Sequence, residues 1–309
     1  MTRVAWPEGK RFAFSIFDDT DSATLKRVRP VYDLLRDLGF RTTKSVWPLP
    51  GRDVPDGGGS TCADPEYRDW VIELQRSGFE IGWHNATFHT STREETRRGL
   101  ETFARIFGGY PTAMANHSSC DENLYWGDHR VTGIRRWVYR GLTLDRNRGR
   151  FRGHVEGDPL FWADLCRQHL KYCRNFDFVD INTLKCCPMM PYHDPARPYV
   201  NYWFAATGGH DVRTFTCALS GRAQERLETE GGACIMYTHL ARGFCRDGRL
   251  DPEFRRLMES MSRRSGWFVP VSTLLDHLLA EQGHHELSDR ERAALERRWL
   301  SYKLRVGSA

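Results

Sequence analysis

No stretch of this 309-residue chain reaches the roughly 20 apolar residues that a membrane-spanning helix needs. The longest apolar segments, such as Val269 to Leu279, are interrupted by polar residues, so no membrane partner is expected. The opening Met1-Thr2-Arg3-Val4-Ala5-Trp6-Pro7 has no apolar core behind its charge, which predicts a cytoplasmic protein without a secretory leader. There is no run of basic residues and no basic stretch interleaved with aromatics. At a net charge of +5, no nucleic-acid partner is expected either. The nine cysteines include no Cys-x-x-Cys pair, which argues for reduced, mostly buried thiols over a disulfide framework or a thiolate zinc site. Internal repeats and low-complexity segments are absent as well. Lysine is scarce: only six of the 45 basic residues are lysine. Compositional bias accounts for such an arginine excess, and so does a need to grip a substrate phosphate or carboxylate in bidentate fashion.

What is present is an ordinary globular mixture, 40% hydrophobic and 28% charged, in which short apolar runs alternate with helical periodicity. Phe12 to Phe17 reads as a buried strand ending in Asp18-Asp19. Leu25 to Leu38 reads as a helix with Val28, Val31, Tyr32 and Leu35 on one face and Gly39 closing it. Strands at Thr42–Trp47, Phe79–Trp83 and Thr112–Ala115 follow, separated by helices near Glu66–Arg76 and after the Thr92-x-x-Glu95 capping box. From Ser118 to Thr216 the pattern predicts a helix over Phe161–Cys173, strands near Phe178–Leu184 and Tyr199–Ala206, and a proline-rich loop. In that loop Tyr192-His193-Asp194 reads as solvated. The alternation resumes with a strand over Ala233–Tyr237, a helix capped by Asp251-Pro252, a strand at Trp267–Val269 and a helix over Val271–Ala280.

Strands alternating with helices predict an α/β fold, a parallel sheet curled into a distorted barrel over residues 1–284. Residues 285–309 add a C-terminal helix with a Ser288-x-x-Glu291 box and a Leu295, Trp299 and Tyr302 stripe. That stripe packs on its own barrel or, as the alternative, on a second copy in a homo-oligomer.

Strand ends in such a barrel share one face. The expected ends here carry Asp18-Asp19, His84, Asn116-His117 and Thr238-His239, gathering carboxylates and imidazoles at one mouth. The loop from His84 to His89 can turn two imidazoles toward one point, with Asp19 as an oxygen donor. One carboxylate and two imidazoles suit a divalent metal, Zn²⁺ before Co²⁺, Ni²⁺ or Fe²⁺.

The segment Trp6-Pro7-x-Gly9-Lys10-Arg11-x-Ala13-Phe14-Ser15-x-Phe17-Asp18-Asp19 resembles the opening of polysaccharide deacetylase domains, the NodB-homology or carbohydrate esterase family 4 group. Glu80-Ile81-Gly82-Trp83-His84 through His89 is similar to their second motif and Tyr237-Thr238-His239 to their last. Trp267 to Val271 with Leu274-Leu275 is similar to their closing segment. The resemblance spans roughly residues 5–280 and implies a NodB-type barrel. It implies Asp18 as general base, Asp19, His84 and His89 as metal ligands, and His239 as general acid. Two departures stand out. Four residues rather than three separate His84 from His89, with His117 as the first substitute ligand. Ala115-Asn116-His117-Ser118 carries no arginine where the family has one to orient the base; Asn116, His117, Arg140 or Arg152 are the replacements in reach. Asp21, Trp83, Asn116 and His117 are the expected substrate contacts. Of the further tryptophans, Trp126, Trp162 and Trp203 are candidates for stacking on a sugar ring.

These features predict a metal-dependent amide hydrolase that takes an acetyl or similar acyl group from nitrogen of an intracellular sugar-containing small molecule or glycan. Two alternatives remain: a metal-independent amidohydrolase acting on a cyclic amide or ureide, and an inactive barrel that binds a glycan or a protein.

Overall fold

The run ahead of Asp18 does form a strand, β1 (Phe12–Asp18), buried along its whole length. In this computed structural model, which describes residues 4–53 and 58–306, six more strands follow. They are β2 (Thr43–Val46), β3 (Glu80–Trp83), β4 (Ala113–Met114), β5 (Tyr172–Phe178), β6 (Tyr202–Gly208) and β7 (Ala233–Thr238). All pair in parallel in chain order, and β7 returns to β1 with Asp18 opposite Thr238. The ring is thereby closed. A further strand, β8 (Gly266–Phe268), pairs with Phe12–Phe14, while β2 takes up its pairing only at Phe17 and Asp18. The barrel is therefore of the expected distorted kind.

Sequence signals for the outer helices are realised locally. Asp64 caps Pro65–Arg76 by accepting from the backbone N–H groups of Glu66 and Tyr67. Thr92 and Glu95 form a reciprocal box at the start of Arg93–Phe107, and Gly108 ends that helix in the left-handed region. Their apolar stripes face the sheet and form a continuous core with it. All nine cysteines are free thiols, seven of them buried. No described helix is long and apolar enough to cross a membrane.

The middle of the chain departs from expectation. The helix expected to reach Cys173 stops at His169, β5 begins at Tyr172, and the Leu184 region is a helical turn, Thr183–Cys186, capped by Asn182. The reason lies in the composition of β5: Arg174, Asn175 and Asp177 are buried strand residues that line a cavity, so the strand lacks an apolar signature. Tyr192-His193-Asp194 is not a solvated loop. Tyr192 and Asp194 are buried, and Asp194 is gripped by Arg197 and by Arg292 from the C-terminal helix.

That helix, Asp289–Val306, opens with the expected Ser288–Glu291 box. Leu295 and Trp299 are buried, and Trp299 packs on Phe176 of β5 at 5.1 Å and on Tyr139 at 5.6 Å. Glu296, fully buried, accepts from Arg135 at 2.5 Å and Arg197 at 3.1 Å. The stripe is thus spent on the chain's own barrel.

Candidate metal centre and active-site cavity

Because the strands are parallel, β1, β3, β4 and β7 deliver Asp19, His84, Asn116 and His239 to one face. There they line a cavity of about 470 Å³ together with Asp21, Arg174 and Arg130. Three carboxylates, Asp18, Asp19 and Asp21, lie at and just beyond the end of β1, and their surroundings differ sharply.

Asp18 sits beneath the cavity and does not line it. Its Oδ2 accepts from the Tyr32 hydroxyl at 2.9 Å and pairs with the Lys44 ammonium at 3.0 Å; its Oδ1 accepts from the Leu240 backbone N–H at 2.8 Å. Burial alone would lower the Lys44 pKa, but the Asp18 carboxylate outweighs it and raises it. Burial, reinforced by the same carboxylate, pushes the Tyr32 hydroxyl well above its usual range. Asp18 is fully buried and its oxygens are engaged, so it cannot meet a substrate as the expected general base.

Asp19 does line the cavity. Arg174 donates to both of its oxygens, Nη1 to Oδ1 at 2.9 Å and Nη2 to Oδ2 at 2.6 Å. Burial would raise the Asp19 pKa, but Arg174 and His84 more than offset it, so the group stays ionised. Arg174, on β5, thus places an arginine on a strand-end carboxylate, where the strand-four segment has none. Arg140 instead pairs with Asp128 and Arg152 with Asp158.

Asp21 is the centre of the imidazole cluster. His84 Nε2 is 3.0 Å and His117 Nε2 3.1 Å from its oxygens, and His239 Nε2 is 3.5 Å away. The other ring nitrogens are held elsewhere: His84 Nδ1 donates to the Ala115 carbonyl at 3.0 Å and His239 Nδ1 to the His210 carbonyl at 2.8 Å. His117 Nδ1 lies 3.8 Å from the Cys120 thiol, which itself donates to the Thr87 carbonyl. Asn85, in the left-handed region at φ 64°, ties the two ligand loops together by accepting from the His117 N–H and donating to Glu122 and Asn123. Trp47 closes the back of the cluster against both His84 and His117. Burial, followed by the His84 charge, lowers the His117 pKa to about 4, keeping that imidazole neutral as ligation requires. Burial opposes ionisation of Asp21, yet hydrogen bonds from His239 and His84 hold its carboxyl well below the usual range.

Asp21, His84 and His117 form one group close enough to hold a metal ion; Asp19, Asp21 and His239 form another. The donor set fits a divalent cation. With Nδ1–H spent on a carbonyl, a neutral His84 has only a lone pair at Nε2 to set against the carboxylate oxygen 3.0 Å away, so the contact needs either a proton on Nε2, which makes it the hydrogen bond that lowers the Asp21 pKa, or a cation between the two atoms.

His89 takes no part. Its Nδ1 donates to the Thr90 carbonyl and its Nε2 accepts from the Arg52 N–H, because the chain turns away after Phe88 toward the Arg52 loop. Trp83 is wholly buried against Phe103 and Trp162, so it is a core residue and not a substrate contact. Trp203 is buried too, and only Trp126 of the four tryptophans lines the cavity. Asn116 lines the cavity, but its amide is committed at both ends to the Leu124 backbone. Sequence reasoning passed over Arg174, Asn85 and Trp47; the first lies in a strand whose polar inner face gives no apolar signature.

No family model matches the chain, and no curated protein matches it. Among solved structures, the chain is similar to a putative polysaccharide deacetylase from Mycobacterium smegmatis, with 14% identity and a TM-score of 0.54, covering 93% of this chain and 97% of that one. It is also similar to Puue allantoinase, with 14% identity and a TM-score of 0.51, covering 90% and 93%. The chain therefore shares the barrel fold of these two structures, the kind of barrel that the motifs implied. At these identities the likeness is one of fold.

Proposed function

We propose that the chain is a metal-dependent amide hydrolase that removes an acetyl or similar acyl group from nitrogen of a sugar-containing small molecule. The observation that carries this reading is the convergence of three imidazole Nε2 atoms on Asp21. Asp21, His84 and His117 would hold the divalent ion, zinc being the best match to a carboxylate and two imidazoles. When bound, such an ion supplies Lewis acidity toward the scissile carbonyl and lets water act as a nucleophile at neutral pH. Asp19, kept ionised and aimed by Arg174, is the base that takes the proton of the attacking water. His239, anchored through Nδ1 to the His210 carbonyl, presents Nε2 to the cavity and, once protonated, gives that proton to the departing amine. Relative to the roles implied by the resemblance, the base moves from Asp18 to Asp19. The oxygen ligand moves from Asp19 to Asp21, and the second imidazole from His89 to His117.

A second reading, a metal-independent amidohydrolase, draws on the same contacts, because protons alone can bridge Asp21 to His84 and His117 at 3.0 and 3.1 Å. Elemental analysis combined with hydrolysis of N-acetylated sugars separates the two. The expected result is about one equivalent of divalent metal, with turnover abolished by chelation and restored by Zn²⁺. Turnover indifferent to metal removal favours the second reading; neither metal nor turnover leaves an inactive binding barrel.

A further inference from the structure

Arg130 is a buried cation with no carboxylate in ion-pair contact among the described residues; Asp177, also on the cavity wall, is the charge that most offsets its burial. It ends the short helical turn Gly127–Arg130, is 7% exposed, and faces the same cavity as Asp19 and Asp21. Its guanidinium lies over the Trp126 ring, 3.2 Å from the centroid, with Trp299 of the C-terminal helix 5.3 Å away. Among the described residues its buried Nε has no hydrogen-bond partner. The backbone of this turn is nonetheless fixed. Arg197, itself held by Asp194 and Glu296, donates to the Arg130 carbonyl at 2.6 Å and to the His129 carbonyl at 3.2 Å. Burial of the unpaired charge lowers its pKa to about 10, so it remains a cation at neutral pH.

The other cations of the cavity each have a carboxylate: Arg174 has Asp19 at 2.6 Å, Lys303 has Asp177 at 3.4 Å, and Arg242 has Asp21 at 3.6 Å. Burying a guanidinium without a counter-charge is costly, and a ligand that brings one removes that cost. One unpaired fork calls for one planar anion; a phosphate dianion would need a second free cation, and the neighbours are taken.

We propose that Arg130 is the specificity residue of this cavity and receives a carboxylate of the substrate, so that the sugar-containing compound hydrolysed is one that carries a carboxylate and not a neutral N-acyl sugar. The location of the reacting amide rests on the hydrolase reading above. Recognition of the carboxylate does not.

The test therefore begins with binding. Titration of the full chain with propionate, with its neutral isostere propionamide and with inorganic phosphate, followed by tryptophan fluorescence from the Trp126 stack, should show saturable binding of propionate. Propionate should bind at least about tenfold tighter than propionamide and tighter than phosphate. Arg130→Met should abolish that preference while the protein melts at an equal or higher temperature, since it removes an unpaired buried charge. Arg130→Lys, which keeps the charge without the fork, should retain a reduced preference. Equal binding of propionate and propionamide, or a preference that survives in Arg130→Met, would overturn the proposal, and phosphate as the tightest ligand would do so as well. The hydrolase reading fails separately: carboxylate binding without amide turnover on any N-acylated acid or sugar would sink that reading and leave the Arg130 assignment standing.

Discussion

Beneath the cavity Asp18 meets a donor at each contact, whereas three residues later Asp21 meets, among others, the Nε2 atoms of His84 and His239, whose Nδ1–H groups are committed to backbone carbonyls. In the first cluster every oxygen of the carboxylate faces a cation or a donor. A fully buried lysine, a tyrosine and a backbone N–H satisfy one carboxylate, and no reactive valence is left. The second is arranged like the donor shell of something still to be bound. Adjacent acidic residues on one strand end can thus have opposite purposes, and the distinction rests on hydrogen-bond direction, which residue type alone does not carry.

The largest expected break in this contrast is at the rim. Asp21→Asn or His117→Ala should lose the metal and lower turnover by at least about 100-fold, with the folded state retained, as read by elemental analysis and kcat/KM. At the node the readout reverses. Lys44→Met strands a buried Asp18 carboxylate and should cost about 3–5 kcal/mol of stability in denaturant unfolding, while the surviving folded protein still binds metal. A Lys44→Met protein of unchanged stability that lost its metal would erase the contrast.

A third expectation concerns Glu122, which accepts from Asn85 and the Ser91 N–H behind the ligand loops. Burial is the main cause of its pKa being raised to about 7 from the ordinary 4.5. Between those values the folded protein holds a proton that the unfolded chain has released, so stability is fully present below about 4.5 and is lost as the pH rises through about 7. The loss is on the order of 3 kcal/mol. The wild type should therefore lose stability relative to Glu122→Gln on going from pH 5 to pH 8; parallel pH profiles would refute the assignment. The smallest effect belongs to His89→Ala, which should keep its metal and turnover and cost only about 1 kcal/mol from the bonds to Thr90 and Arg52.

The sequence made the barrel legible wherever strands were apolar and helices were capped, as at Phe12–Asp18 and Thr92–Glu95. It failed at Tyr172–Phe178, where a polar inner face hides the strand, and that strand brings Arg174. Conversely, the mouth itself was foreseen from strand ends, because parallel topology alone puts Asp19, His84 and His239 on one face. Assigning roles within it was harder. The resemblance implied His89 although its spacing from His84 is one residue too long, and the turn after Phe88 is set by contacts to Thr90 and Arg52 that no local pattern encodes. Asp18 was misread for a similar reason, since its partners Lys44 and Leu240 are remote in sequence.

One wall of the cavity comes from the Asp289–Val306 helix, whose Lys303 reaches Asp177 across 126 residues of chain and whose Trp299 backs Arg130. During synthesis the ring of strands can close before that wall emerges from the ribosome. A nascent chain released before residue 299 would therefore leave the core face that Trp299 seals uncovered and the cavity open on that flank, poorly equipped to discriminate among acyl compounds.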